Sequence, residues 1–196
     1  MTSFLKKFLI IFFIFFISAS FFYENFYKPS LFLNITTPDG KNYTLSFNNL
    51  DLIRMSIYGV IRNINLEKGL NNTEKVKLYS EKLNDLIIKN KEYYNFYYME
   101  FQKFYPERYF ILCVEDSCSY FFFSISGLIH LENGNLNIEK PLIVWIDENY
   151  LNNFIKIIEK GDSRILLYLK EGIIKGYFKV TNVEKVVDRI IKEYRS

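Results

Sequence analysis

The pattern of apolar and polar positions is clearest in the segment 141–180. Its apolar run Leu142–Ile146 is short and rich in branched residues, which predicts a buried strand. Asp147 ends the run, and with Glu148 it begins a helix in which apolar residues recur every three or four positions. Gly161 ends that helix. The segment therefore opens with a strand that is followed directly by an amphipathic helix.

The same segment predicts a second helix and a second strand. Asp162 or Ser163 caps the helix, and Gly176 ends it. Its apolar face consists of Ile165, Leu166, Leu169 and Ile173. The alternating residues Tyr177–Val180 then predict a strand, so the order is strand, helix, helix, strand.

Helical spacing also dominates the region before Pro106. Thr73 is the predicted cap of a long helix, and the polar stretch Lys89–Glu92 is a candidate break within it. The apolar stripe consists of Val76, Tyr79, Leu83, Leu86, Ile87, Tyr93, Tyr94, Tyr97, Phe101 and Phe104. This stripe either covers the sheet or packs against a partner helix in a coiled coil.

The residues from 31 to 66 combine a hairpin with an ambiguous segment. Alternating apolar residues flank a Pro-Asp-Gly turn, so Leu31–Phe47 is predicted to form a β-hairpin. Residues 50–66 fit a helix capped by Asn49, which we favour, although apolar residues also alternate there as in a strand. This part is either an added edge of the main sheet or a spacer that holds the domain away from a membrane.

An uncharged apolar run, residues 8–23, follows Lys6 and Lys7. It is slightly shorter than the roughly 20 residues that span a bilayer, but snorkelling lysines and flanking aromatic residues compensate for the difference. The small residues Ser18–Ser20 alternatively match a signal-peptidase site, which would give a secreted protein. We favour a retained single-pass anchor in the cell membrane, because bulky aromatic residues continue past that site. In both cases the amino terminus is cytoplasmic and the rest is outside.

At residues 141–182 the chain resembles the lipid-binding domain family of sterol carrier protein type two, also called non-specific lipid-transfer protein. The motifs that carry the likeness are WIDENYLNNFI for a strand, an acidic residue and a helix, Gly161 for a middle glycine, and GYFKVTN, Gly176–Asn182, for the last strand. Upstream, residues 108–141 are similar to the family's paired strands, third strand and return. The likeness covers residues 81–191, the length of one domain.

The resemblance implies an α+β fold, with helices on one face of a mainly antiparallel or mixed sheet of about five strands. The membrane segment would be residues 1–27, the hairpin and connecting segment residues 28–72, and the sterol-carrier-like domain residues 73–196. A family member of this kind holds an apolar ligand, such as a lipid chain, in a tunnel between sheet and helices. The candidate lining residues are Phe110, Leu112, Phe122, Ile125, Trp145, Phe154, Leu166, Leu169 and Phe178. A final amphipathic helix around Val186 and Ile190 is a candidate lid.

Cys113 and Cys118 flank four residues. If Glu115 and Asp116 form the tip of a two-residue hairpin, the cysteines face each other at a separation that a disulfide spans. An exported chain favours that bond, and a pair of free thiols is the alternative.

Charge and motifs exclude several classes of function. Without Lys6 and Lys7 the chain has 23 basic and 22 acidic side chains, so it lacks the excess of basic residues that nucleic-acid binding requires. His130, the only histidine, has no nucleophile motif beside it, and no set of zinc ligands accompanies the cysteines. We therefore predict a binding protein with no catalytic residues, no metal and no cofactor.

Two other functions remain open beside the lipid carrier. The same fold could have a filled interior and serve only to recruit protein partners at the membrane. The sequence does not identify those partners. An enzyme would have to depend on Cys113, Cys118 and His130 alone, and we rank it last. An internal cavity of roughly 300 Å³ or more would separate the carrier from the filled version.

Overall fold

The computed structural model describes residues 28–36, 38–61, 65–132, 140–160, 164–182 and Arg189. These residues form an α+β fold. The predicted anchor, the caps Asp162 and Ser163, and the final helix, apart from Arg189, lie outside the described residues.

Thirteen elements follow one another in the described residues. The strands are β1 (Pro29–Thr36), β2 (Asn42–Asn48), β3 (Tyr109–Val114), β4 (Ser117–Ser124), β5 (Gly127–Leu131), β6 (Leu142–Ile146) and β7 (Phe178–Thr181). The helices are α1 (Asn49–Ile61), α2 (Leu66–Leu70), α3 (Glu74–Lys89), α4 (Lys91–Phe104), α5 (Glu148–Glu159) and α6 (Ile165–Ile174).

The predicted hairpin is confirmed, and it forms its own two-stranded sheet from β1 and β2. It is therefore not an edge of the main sheet. The helix favoured for the next segment is confirmed as α1, but its cap is Asn48 and not Asn49. The Asn48 side chain accepts a hydrogen bond from Asp51 N at 2.8 Å, and the Asp51 carboxylate accepts one from Asn48 N at 3.2 Å. This reciprocal pair satisfies backbone donors at the helix start.

The long helical pattern is divided in two at Asn90, inside the polar stretch predicted as a candidate break. Thr73 occupies the cap position of α3 but makes no capping hydrogen bond with its side chain. Val76 N instead donates to Ser117 Oγ at 2.9 Å, and Ser117 is the fully buried first residue of β4. A residue 41 positions away therefore caps this helix.

Ser117→Ala is expected to lower the free energy of unfolding by about 1 kcal/mol, because it removes this cap and leaves the buried Val76 N–H without its acceptor. Chemical denaturation followed by circular dichroism measures the change. The matched control is Ser56→Ala on α1, whose exposed hydroxyl bonds only to a carbonyl within its own helix and whose loss should cost almost nothing. Equal effects of the two substitutions would contradict the capping role.

The main sheet has the strand order β5-β4-β3-β6-β7. β3 pairs with β6 in parallel, and the other three pairs are antiparallel, so the sheet is mixed. β3 and β6 are neighbouring inner strands of this sheet. In the chain they are separated by residues 115–141, which include β4 and β5. The topology thus brings the two apolar segments of the predicted site side by side.

The order strand, helix, helix, strand predicted for residues 141–180 is confirmed in β6, α5, α6 and β7. Asp147 caps α5 by accepting from Tyr150 N at 2.9 Å. Gly176, with φ +66°, ends α6, since its N–H donates to Ile173 O and Tyr177 N donates to Gly172 O at 2.8 Å. This is the Schellman arrangement, in which a left-handed glycine lets the chain turn out of the helix.

Helices lie on both faces of the main sheet. On one face, Leu112 and Val114 of β3 pack in a cluster with residues of α3 and α5. On the other face, Ile111, Cys113 and Trp145 pack with Leu66 and Leu70 of α2. The prediction that helices cover one face is therefore incomplete, because the short helix α2 was not predicted and packs on the second face.

The hairpin and α1 pack against α6, outside the main sheet. Lys170 of α6 lies over the buried Phe47 ring at 5.4 Å from its centroid, and its ammonium is 3.8 Å from the carboxylate of Asp51. The amino-terminal unit is thus joined to the domain through the second of the two helices.

Candidate apolar binding site

The β3–β4 turn carries the predicted disulfide. Cys113 pairs with Cys118 across the turn, and the two residues form a disulfide. A Cβ atom at Gly69 would lie 2.5 Å from Cys118 Sγ, so the α2 backbone rests directly on the bond. The bond is structural, and disulfides of this kind are typical of oxidising compartments outside the cytoplasm.

Part of the predicted lining set is on the sheet face covered by α3 and α5. Phe110 and Phe178 are half-buried there, and Leu112 is buried. Phe154 of α5 is half-buried and stacks with Tyr150. Leu166 and Leu169 lie on α6 and are also half-buried.

The remaining three predicted residues do not face these helices. Phe122 pairs with Tyr109 and Trp145 pairs with Cys113, so strand alternation places both on the opposite face. Trp145 donates from Nε1 to Glu115 O at 2.8 Å beside the disulfide. Ile125 lies in the β4–β5 turn and is exposed.

An apolar patch remains accessible on the helix-covered face. It consists of Phe110, Val144, Phe178 and Val180, and we call it the β3–β6–β7 patch. Leu112 on the inner strand β3 is buried at 2% exposure, whereas Phe110 on β3 and Val144 on the inner strand β6 are only half-buried. Val180 lies on the edge strand β7 and is 37% exposed. The helices therefore cover this part of the sheet only in part, since Phe110, Val144 and Phe178 pack against the core at one side and keep some exposed surface.

Sequence reasoning missed Val144 and Val180. All five residues of β6 are apolar, so the sequence did not show which of them face the helices. The direction of Val144 follows from the parallel register, in which Val144 pairs with the buried Leu112 of β3.

One side of the helix layer is tightly filled. The rings of Tyr150 and Tyr168 stack at 4.7 Å between centroids, and Tyr150 Oη donates to Tyr168 O at 3.1 Å. A Cβ atom at Gly172 would lie 2.2 Å from the Tyr150 ring. Burial raises the pKa of the Tyr150 hydroxyl above its usual range. The helices α5 and α6 are thus in direct contact with no space between them at this point.

Arg189 comes from the carboxyl-terminal segment and binds Glu107, three residues before Phe110. Two hydrogen bonds, of 2.7 and 2.5 Å, join the guanidinium to the carboxylate, and they raise the pKa of Arg189. This bidentate geometry fixes orientation as well as distance. It holds one residue of the predicted lid near the strand that carries the patch.

A polar network joins the starts of α3 and α5. Lys75 Nζ lies 2.7 Å from Glu148 Oε2, and Tyr79 Oη donates to Glu148 Oε1 at 3.1 Å. Glu148 N donates to the carboxylate of Glu115 at 3.0 Å. The hydrogen bond with Lys75 lowers the pKa of Glu148. The network ties both helix starts to the β3–β4 turn, which is a structural role.

His130 lies on β5, where its Nε2 is 2.8 Å from Ser119 Oγ and its ring contacts Phe121 edge-on. Burial, and then the charge of Lys77, lowers its pKa. Within the described ranges, no three or more His, Cys, Asp or Glu side chains come together as metal ligands would.

No protein-family model, curated protein or solved structure matches this chain. The resemblance to the sterol carrier family stays a prediction. Among the helices of the described ranges, none combines the length and the apolarity that crossing a bilayer requires. The predicted anchor at residues 8–23 is outside those ranges.

Proposed function

We propose that this chain is a membrane-anchored, extracytoplasmic domain that binds an apolar ligand, such as a lipid chain, between sheet and helices without catalysing a reaction. The observation that carries the proposal is the β3–β6–β7 patch, where apolar side chains of two inner strands and one edge strand are only partly covered by the helices. A ligand there would be held by apolar burial, at about 0.8 kcal/mol for each methylene removed from water.

The location is proposed on two grounds. The apolar run at residues 8–23 supports attachment to the cell membrane, with secretion after cleavage as the alternative. The disulfide between Cys113 and Cys118 supports a position outside the cytoplasm.

The second candidate is a structural domain of the same fold that recruits proteins at the membrane and holds no ligand. The stacked Tyr150 and Tyr168 favour it, since they fill the space between α5 and α6 with the chain's own side chains. The two candidates differ in what occupies the patch. A carrier would hold lipid there, and a structural domain would leave the patch in contact with solvent.

Photo-crosslinking tests the carrier. The full chain, reconstituted in vesicles with a diazirine fatty acid, is irradiated, and the labelled peptides are mapped by mass spectrometry. We expect label in the peptides that carry Phe110 and Val144. Val144→Phe should reduce that label about tenfold, or about 1.4 kcal/mol, because the added ring occupies the space over the patch.

The matched control is Leu167→Phe, which adds a ring at a side chain that is 63% exposed on α6 and should leave the labelling unchanged. Label confined to residues 8–23, with none in β3, β6 or β7, would contradict the carrier and favour the structural domain.

A further inference from the structure

The helix α1 presents an unusual outer face. Its solvent-facing side chains include Ile53 at 43%, Ile57 at 51% and Tyr58 at 36% exposure. Its only acidic residue, Asp51, is buried and lies 3.8 Å from Lys170, and its only basic residue, Arg54, is exposed. A surface helix normally turns its large apolar side chains inward, so these three exposed residues are more than α1 needs for packing on its own domain.

The outer face is continuous, because Ile53 and Ile57 are four residues apart, with Arg54 and Tyr58 one position further round. It carries no exposed carboxylate. An apolar stripe with an aromatic ring and an arginine at its border has the composition of a helix that lies in the interface of a bilayer.

The chain connection would keep a bilayer within reach of this face. The proposed anchor ends at Tyr23, and residues 24–28 span at most about 18 Å before β1 begins at Pro29. Pro29 pairs with Asn48, the residue that caps α1. The first turn of α1 therefore lies within about 25 Å of the point where the chain would leave the membrane.

We propose that the outer face of α1 docks on the same bilayer that holds the anchor, with Ile53, Ile57 and Tyr58 in the interface and Arg54 at the lipid headgroups. This inference rests on the proposed membrane anchor. The domain then lies against the membrane, and the docked α1 packs on α6, the helix that precedes β7 of the patch. The occupant is a lipid surface and not a second protein, because the covalent connection keeps that surface within reach.

Fluorescence quenching by brominated lipid tests the docking. The full chain carries Ile57→Trp and is reconstituted in vesicles of acyl-brominated phosphatidylcholine with phosphatidylglycerol. The parent chain supplies the background, since its single tryptophan, Trp145, is buried in the sheet. We expect the brominated lipid to quench most of the added emission and the emission to shift to shorter wavelength.

The matched control is Tyr93→Trp on α4, at a residue with similar exposure of 46%. Tyr93 belongs to α4, which packs on α3, whereas α1 packs on α6. A tryptophan there should not be quenched.

Flotation of the vesicles separates the two proposals. A chain that floats, but whose Ile57→Trp variant is quenched no more than the Tyr93→Trp variant, overturns the docking of α1 and leaves the anchor in place. A chain that does not float with the vesicles overturns the anchor and the docking together. Selective quenching in the Ile57→Trp variant of a floating chain supports both.

Discussion

Replacing both Cys113 and Cys118 with alanine is expected to lower the free energy of unfolding by about 2 to 4 kcal/mol. The disulfide closes a short loop, for which the chain-entropy treatment gives about 2 kcal/mol. Both side chains are fully buried, so their truncation also removes packing beneath α2. Denaturant unfolding of the full chain in detergent, with and without reductant, measures the loss.

Gly69→Ala is the internal control for this prediction. In the parent chain the added Cβ would lie 2.5 Å from Cys118 Sγ, so the substitution should destabilise the protein. In the double-alanine variant the sulfur is absent, and the same substitution should cost much less. An equal cost in both backgrounds would show that the disulfide does not position α2, and an unchanged unfolding midpoint in reductant would contradict the stabilising role of the bond.

Gly172→Ala is expected to lower the free energy of unfolding by about 1 to 3 kcal/mol. In an exposed helix the same change would stabilise by about 1 kcal/mol, so the predicted sign is reversed. The cause is Tyr150, whose ring would be 2.2 Å from the new Cβ. The ring is held in place by its stacking on Tyr168 and cannot move away cheaply. Thermal unfolding measures the difference.

A Tyr150→Leu background tests this explanation. With the ring removed, Gly172→Ala should lose its cost and recover the stabilisation that helix propensity gives. If the cost of Gly172→Ala is the same with and without the ring, the contact between α5 and α6 is not its cause.

Much of the fold could be predicted because its signals are local. Turn residues and alternation define the hairpin of β1 and β2, and Gly176 marks the end of α6 by its left-handed conformation. The two-residue turn at Glu115 placed Cys113 opposite Cys118, and the disulfide is confirmed. Each of these predictions depends on residues within a few positions of one another.

The errors come from contacts between distant segments. Ser117 takes the capping role that Thr73 was expected to play, because the fold brings β4 to the start of α3. The uniformly apolar β6 carries no alternation, so the direction of Trp145 was left undetermined until its pairing with β3 was known. The face on which each predicted lining residue lies depends on this register, so the sequence alone did not separate Leu112 from Trp145.

The parallel pairing of β3 with β6 means that one partner of β3 is synthesised later than the other. Turns of two residues join β3, β4 and β5, so this meander is complete once Leu131 has been added. The other edge of β3 is paired only after synthesis has reached Ile146, the last residue of β6. At a synthesis rate of about 5 to 20 residues per second, this takes about one to three seconds. Until then one edge of β3 has no strand partner, and an unpaired edge of this kind is a template for pairing with another chain.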